Sequence, residues 1–510
     1  MTGALPNDSS LEAPVVIIGA GPAGLTAAYE LSRVGTPVLV LEQDAQVGGL
    51  ARTVEHNGFR FDIGGHRFFT KVPVVEQLWR TVLGPDFLKR PRLSRIYYRG
   101  RFFQYPLRPF DVAWKLGLWT STLVLLSYAA ARVRPLPQET SFADWVTNRF
   151  GRRLYRIFFK TYTEKVWGIP CERISAQWAA QRIKGLSLRT AVSNMFASRD
   201  RSPSVKTLIT EFEYPRLGPG MMWERFAQIV ESGSGRVELG ARVTRLLHDR
   251  RRIEAVEYTR HGLTRRSAAG HVISTMPVPH LVDAMMPAMP AEARTAAHRL
   301  SHRDFLTVAL MLEQADVFPD NWIYIHDDAV RVGRIQNYKN WSPDMVPDPA
   351  WTCLGLEYFC SAGDDLWTMT DDDLVALATT ELARVGLGDP KKVRAGVVVR
   401  VRDAYPVYDA GFLGALEIVK THLAPFTNLQ LVGRNGMHKY NNQDHSMLTA
   451  LLAVRNLQGA GYDLWSINAE DDYYEETTAT ASADSELSAC VSAMSSTQPL
   501  VPSRLDSPGH

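Results

Sequence analysis

The chain is short of several things that would place it quickly. It has four cysteines in 510 residues, Cys171, Cys353, Cys360 and Cys490. Their scatter has neither the paired spacing of a zinc site nor the density of a disulfide framework, so reduced thiols and a cytoplasmic setting are expected. It lacks a charge excess. The 57 basic side chains stand against 54 acidic ones, a net +3, so no global field draws it to nucleic acid. No apolar run reaches the roughly 20 residues that span a bilayer. The nearest approach is LGLWTSTLVLLSYAAA at 116–131, between Lys115 and Arg132. A buried helix is its first expectation and an interfacial helix the alternative, so membrane contact is possible but not favoured. The opening MTGALPNDSS has neither the basic start nor the apolar core of a signal peptide. No internal repeat, nucleophile elbow or metal cluster stands out. HKYNNQDH at 438–445 offers ligand types without a fitting spacing, so no metal is expected.

What is present begins at APVVIIGAGPAGLTAAYELSRVGTPVLVLEQD, residues 13–44. A run of β-branched residues, Val15 to Ile18, enters G-x-G-x-x-G at Gly19, Gly21 and Gly24. A helix pattern follows without a breaker until Gly35, and a second apolar strand ends in Glu42. Gly19 permits the tight turn, Gly21 lets backbone approach a pyrophosphate, and Gly24 lets helix pack close to strand. The pyrophosphate then meets unpaired N–H groups and the dipole at the helix N-terminus, and Glu42 is placed to accept ribose hydroxyls. Strand, helix, second strand and terminal acid agree on a dinucleotide-binding unit.

After Glu42 the chain reads VGGLARTVEHNGFRFDIGGHRFFTK, with Gly48–Gly49 and then Gly64–Gly65. This resembles the extended FAD-binding pattern of the superfamily that holds the amine oxidases, protoporphyrinogen oxidases and UDP-galactopyranose mutases. The resemblance implies FAD, a second glycine pair against the cofactor, and an arginine on its phosphates at Arg52. No second G-x-G-x-x-G marks a separate NAD(P)H domain, so an external reductant, NAD(P)H or another, is implied.

Within that superfamily five further stretches resemble the mutases. YTEKVWG at 162–168 lies in a segment, FFKTYTEKVWGIP, that mixes large flat side chains with charges. The others are GGHRFFT at 64–70, RIYYRGRFFQYPL at 95–107, GRIQNYKNW at 333–341 and VGRNGMHKYNNQDH at 432–445, with AYPVYD at 404–409 before the last. The resemblance implies a substrate set of Tyr162, Trp167, Arg182, Arg334, Tyr358, Arg434, Tyr440 and Asn442. A nucleotide sugar of UDP or dTDP type explains these types: arginine forks meet phosphate oxygens bidentately, and tyrosine hydroxyls add neutral donors. Asn442 stands where those enzymes carry an aspartate, so their usual sugar is not implied. Tyr162 is expected at the base, Trp167 as a wall of the sugar pocket, and His66 beside the flavin, tuning it or admitting reductant. His66, Arg334 and Trp167 form the implied catalytic set. Gly433 and Arg434 join Gly64, Gly65 and His66 on the cofactor side. Each has a structural alternative: a core tryptophan at Trp167, ion pairs at Arg334 and Arg434, a loop cap at His66. Lys160, Glu164 and Lys165 read as solvated or helix-pairing charges.

The expected fold class is α/β, a Rossmann-like FAD-binding domain of the GR2 type with inserted helical and sheet substrate domains. The FAD domain is expected over 13–75, 206–300 and 405–465, a mainly helical insert over 76–205, and a substrate-binding sheet over 301–404. Residues 1–12 and 466–510 are expected to be disordered, the latter for its Ser, Thr, Asp, Glu and Pro content. The implied reaction interconverts pyranose and furanose forms of an NDP-sugar through an adduct at N5 of reduced flavin. The alternative is an FAD-dependent oxidase or desaturase of a protoporphyrinogen- or isoprenoid-like substrate. Its weakness is that a greasy ligand would leave the arginines and tyrosines unpaired, at roughly 1–3 kcal/mol per buried group.

Overall fold

The computed structural model describes residues 13–176, 207–208, 211–409, 411–468 and 476–477. Arg182 and Cys490 lie outside them, as does most of each end expected to be disordered. Contacts gather the described chain into two units. The first holds 13–52, 223–302 and 411–468, and the second 53–176, 211–222 and 303–409. Segments 53–75 and 211–222, expected with the FAD domain, therefore pack within the second unit.

The first unit is built on a five-stranded sheet in the order Gly235–Glu238, Val38–Leu41, Val15–Ile18, His271–Ser274, Leu429–Leu431, every neighbour parallel. A parallel sheet is covered on both faces, which is why its strands read as continuous apolar runs; Val15 to Ile18 are all buried. Helix Pro22–Arg33 opens on a proline, tolerated where the N–H has no intrahelical partner, and packs against helix Gln443–Leu457. Tyr29 on the first helix stacks on Phe226 at 4.4 Å. The stretch 235–262 alternates apolar and polar residues in the manner of a β-meander edge. Its first strand instead joins the parallel sheet beside Val38–Leu41, and only Arg242–His248 and Ile253–Arg260 continue antiparallel, with Leu263–Ala268.

The second unit is organised by a seven-stranded sheet in the order Val393–Pro406, His302–Leu312, Thr352–Cys360, Arg334–Asn337, Trp322–Ile325, Ser94–Tyr98, Arg101–Gln104. Two of these strands come from the segment expected to be mainly helical. Side chains alternate across a strand, and Thr352–Cys360 shows what that does here. Leu354, Leu356 and Tyr358 enter an apolar layer completed by Leu374, Ala378 and Leu382 of helix Asp371–Arg384. Cys353 enters the opposite layer with Phe61, Tyr214, Tyr338 and Trp341. Helix Phe142–Phe150 begins with a reciprocal cap, Ser141 Oγ accepting from the Asp144 N–H and Asp144 Oδ2 from the Ser141 N–H.

The run 116–131 departs from its first expectation. Gly117, at φ +81°, separates helix Pro109–Leu116 from helix Leu118–Val133, and on the latter only Val124 is buried. Leu118 is 90% exposed and Trp119 76%. Apolar residues circle this helix, but it packs by one side alone, on helices Phe142–Phe150 and Arg152–Tyr155. Its other side meets no described residue that could bury it.

Asp62, just before the Gly64–Gly65 loop, is buried and accepts from Tyr214 Oη at 2.5 Å and Thr53 Oγ1 at 2.8 Å, while Tyr338 Oη donates to its carbonyl at 2.5 Å. Burial outweighs these donors and pushes its carboxyl up to about 7. A raised carboxyl contributes stability that is complete below its unfolded value, near 3.9, and lost as pH rises through about 7. Urea midpoints should therefore show Asp62→Asn gaining on the parent protein between about pH 4 and pH 7; parallel curves would exclude an ionising Asp62.

Candidate active site

In the first unit the glycine fingerprint forms a cradle that side chains would fill. A Cβ on Gly24 would lie 1.9 Å from the Gly19 carbonyl oxygen, and one on Gly49, at φ +53°, would lie 3.1 Å from Gly21 Cα. Gly48 N–H donates to the Ala20 carbonyl at 2.8 Å, joining the two glycine turns. Glu42 is buried at the end of its strand, accepting from the Ala20 N–H at 2.7 Å and the Asp44 N–H at 2.9 Å. Burial raises its carboxyl above the usual range, against those two bonds. Each of its oxygens retains a second lone pair for a hydroxyl donor.

Arg52, expected on phosphates, pairs with Asp44 at 3.0 Å and donates to the Gly49 carbonyl at 3.1 Å. Gly433 brings the late loop against Ala23, and its N–H donates to Thr449 Oγ1 at 3.1 Å. Arg434 lies over the Tyr440 ring at 4.6 Å and donates to the Asn441 carbonyl at 2.9 Å. Asn442, expected at the sugar, occupies the N-cap of helix Gln443–Leu457, its N–H donating to His445 Nδ1. In that helix's first turn, Gln443 Oε1 and both carboxylate oxygens of Asp444 are buried with no hydrogen-bond partner among the described residues, His445 Nδ1 standing 3.6 Å from Asp444 Oδ1. Buried acceptors in want of donors, together with a glycine cradle on a helix N-terminus, fit a dinucleotide that carries sugar hydroxyls and ring N–H groups.

In the second unit Arg334 and Glu357 stand opposite one another on adjacent antiparallel strands. Arg334 Nε and Nη2 both bind Glu357 Oε2 at 2.6 Å, and Gln336 Nε2 donates to Oε1. Glu357 is 0% exposed. Burial is the largest single influence on Arg334 and opposes its charge, but the Glu357 carboxylate together with Tyr162, Tyr405 and Tyr324 outweighs it and holds the guanidinium well above its usual range. Burial likewise raises Glu357, although its arginine pulls the other way. The remaining arm of the fork, Nη1, has no partner among the described residues and lies 3.3 Å from where a Gly65 Cβ would be. Tyr162, Tyr324 and Tyr405 are the phenols electrostatically coupled to this guanidinium. Tyr162 stacks on His326 at 4.9 Å and meets Tyr324 edge-on at 5.5 Å. Trp167 is buried and stacks on Tyr408 at 6.4 Å. His66 folds over its own loop, Cε1 at 3.0 Å from the position of a Gly64 Cβ.

Two expected placements change. Tyr358 lies on the opposite face of its strand from Glu357 and donates to Glu381 Oε2 at 3.2 Å, inside the helix-covered layer. Strand alternation makes this unavoidable once Glu357 faces Arg334. Lys165, read as a solvated or pairing charge, is largely buried and donates to the carbonyls of Asp327 at 2.6 Å, Val332 at 3.0 Å and Ile325 at 3.4 Å. Burial pushes its amine down to about 8. Lys160 and Glu164 do pair, at 3.7 Å. Glu357, Tyr324, His326 and Tyr405 were missed: each sits in a strand or loop whose partners are remote in sequence. Among the described residues no group of metal ligands forms and the three cysteines are free thiols.

The parallel sheet, the glycine cradle and the orphaned acceptors define a fold of the dinucleotide-binding type. Residues 22–443 match the flavin-containing amine oxidoreductases, and the chain belongs to that family. It is accordingly a flavoenzyme of the amine oxidase superfamily. It is 58% identical over 50 residues to an inactive all-trans-retinol 13,14-reductase of Danio rerio, covering 10% of this chain and 8% of that protein. Over 272 residues it is 27% identical to a lycopene-forming phytoene desaturase of Pantoea ananas, 48% of this chain and 52% of that one. The chain thus spans about half or less of these relatives' lengths. In fold it is similar to a reduced UDP-galactopyranose mutase, with a TM-score of 0.78 at 21% identity, over 91% of this chain and 97% of that one.

Two substitutions check these placements. Gly21→Val, where a Cβ would meet only Gly49 Cα at 3.8 Å, should yield protein with native circular dichroism but no bound flavin absorbance, since the side chain occupies the cradle; retained yellow colour would refute it. Tyr358→Phe should cost about 1 kcal/mol in urea unfolding and leave turnover unchanged.

Proposed function

We propose that this flavoenzyme is a sugar-nucleotide mutase, interconverting pyranose and furanose forms of an NDP-sugar of UDP or dTDP type. The observation that carries the reading is the Arg334 guanidinium: one edge is locked to buried Glu357, and the free arm lies among phenols. A fixed guanidinium with donors to spare suits phosphate oxygens, because its orientation is set before the ligand arrives. Phenols around it donate to oxygens without adding charge. Trp167, braced by Tyr408, presents a flat wall suited to a sugar ring.

The first unit would hold FAD through Gly19, Gly21, Gly24, Gly48 and Gly49, with Glu42 toward ribose hydroxyls. When bound and reduced, by NAD(P)H or another external donor, that cofactor supplies the nucleophile for the anomeric carbon. The protein's contribution is to orient the sugar and stabilise the departing diphosphate, in which Arg334 is the principal group.

A second reading, an FAD-dependent desaturase of an isoprenoid-like substrate, is favoured by the similarity to the Pantoea desaturase over about half the chain. It leaves the buried Arg334 and Glu357 pair without a role beyond structure. Purified holoprotein, reduced with dithionite and given sugar nucleotides, separates the two. The mutase requires UDP or dTDP binding and furanose product in the reduced state alone. Arg334→Lys keeps a charge opposite Glu357 but loses the fork, and should lower kcat/KM by about a hundredfold or more with flavin retained. Desaturated polyene product with no nucleotide binding would replace this reading by the second.

A further inference from the structure

The helix pair Pro109–Leu116 and Leu118–Val133 carries apolar side chains that the fold leaves in solvent. Phe110, Trp114, Leu118, Trp119, Leu125 and Leu126 are each between 59% and 90% exposed. Eight of the thirteen exposed large apolar side chains among the described residues lie between 110 and 136, so this is a patch and not the scatter normal for a surface. The exposed set Leu118, Thr122, Leu125, Ala129 and Val133 follows helical spacing and forms one stripe.

The other side of the same helix lines a cavity of about 560 Å³. Leu123 with Leu116 of the preceding helix gives it apolar wall, Thr120 and Ser127 add hydroxyls, and Arg99, Arg101, Arg152, Arg153 and Arg156 face it from the neighbouring elements. These five arginines are exposed, and no ion pair occupies them among the described residues. Nearby acids are spoken for. Asp111 pairs with Lys115, Glu139 with Arg149 at 2.7 Å, and Asp327 accepts the Arg99 backbone N–H at 3.1 Å. Five unpaired guanidinium groups beside an apolar, tryptophan-bearing stripe is a combination that neither a folded core nor a solvated surface calls for.

We propose that this face docks on a bilayer surface rich in anionic phospholipid, the apolar stripe entering the acyl boundary and the arginine cavity receiving headgroup phosphates. Charge complementarity selects this occupant. A second copy would bring its own five arginines against the first set, a like-charge contact, whereas an anionic leaflet neutralises them. The mode is interfacial. A helix of sixteen residues rises about 24 Å, less than the roughly 30 Å hydrocarbon core, and among the described residues no helix is long and apolar enough to cross a membrane. Tryptophans at 114 and 119 suit the headgroup level, where an apolar ring and an N–H are both satisfied.

The test is sedimentation of the full-length holoprotein with vesicles of phosphatidylcholine alone or with about 30% phosphatidylglycerol, at about 0.1 M and 0.5 M NaCl. Binding to the anionic vesicles at low salt should exceed binding to the neutral ones by about tenfold or more. Trp114→Ala with Trp119→Ala should reduce it about tenfold. Arg152→Gln, Arg153→Gln and Arg156→Gln together should reduce it about tenfold or more and weaken the salt dependence, Arg99 and Arg101 remaining. Every substituted side chain is exposed, and retained flavin absorbance checks the fold. Equal or absent binding to both vesicles overturns the proposal. So does a dimer in sedimentation velocity that the tryptophan pair abolishes, which would give the face to a second copy.

Discussion

The second unit depends on a charge that has no access to water. Glu357 lies at the centre of a seven-stranded sheet with no exposed surface, and an isolated carboxylate there would cost several kcal/mol. Arg334 on the adjacent strand offsets that cost, with Gln336 on the remaining oxygen. Because cross-strand register makes Arg334 and Glu357 neighbours, the guanidinium cannot swing to a second acceptor. Its plane is fixed by the sheet, and only one arm is left to act. A surface arginine would spend side-chain entropy on being held by a ligand; this one has already been immobilised by folding.

What the primary structure disclosed follows the range over which each feature is determined. The dinucleotide unit was readable because its signals are local: three glycines, one uninterrupted helix and a terminal acid fall within thirty-two consecutive residues, and each constrains only its immediate neighbours. Gly235–Glu238 was not. Its alternation fits a meander and a parallel edge equally well, and the choice was made by Val38–Leu41, about two hundred residues earlier.

Site residues divide along the same line. Arg334 was singled out, but its ion-pair partner Glu357 was passed over for the next residue, Tyr358. In TCLGLEYFC an acid looks like an interruption of an apolar strand, and a tyrosine looks like a substrate donor. One position of parity sends them to opposite faces, so the hydroxyl went to Glu381 and the carboxylate to Arg334. Lys165 was misread through the same gap. Charges on a short helix resemble a solvated face until the carbonyls of 325–332, remote in the chain, are seen to receive the amine. Asn442 shows the opposite error: a polar residue in a functional motif turned out to be spent on starting a helix.

Hydrophobicity and net charge each misled where they were averaged. A sixteen-residue apolar stretch is normally interior, yet burial needs a partner surface, and the stretch splits at Gly117 into helices with too little protein beside them. A net charge of +3 describes a nearly neutral molecule while concealing five guanidinium groups that face one cavity. Electrostatic attraction to a surface decays within a Debye length of about 8–10 Å, so a partner at that face meets the local charge and not the sum. Apolar area alone would predict aggregation, and basic charge alone a loosely held anion. Their adjacency on opposite sides of one helix imposes a direction: a partner that satisfies both must present negative charge at one depth and hydrocarbon at another, which is the layered chemistry of a lipid leaflet and not of a folded protein surface.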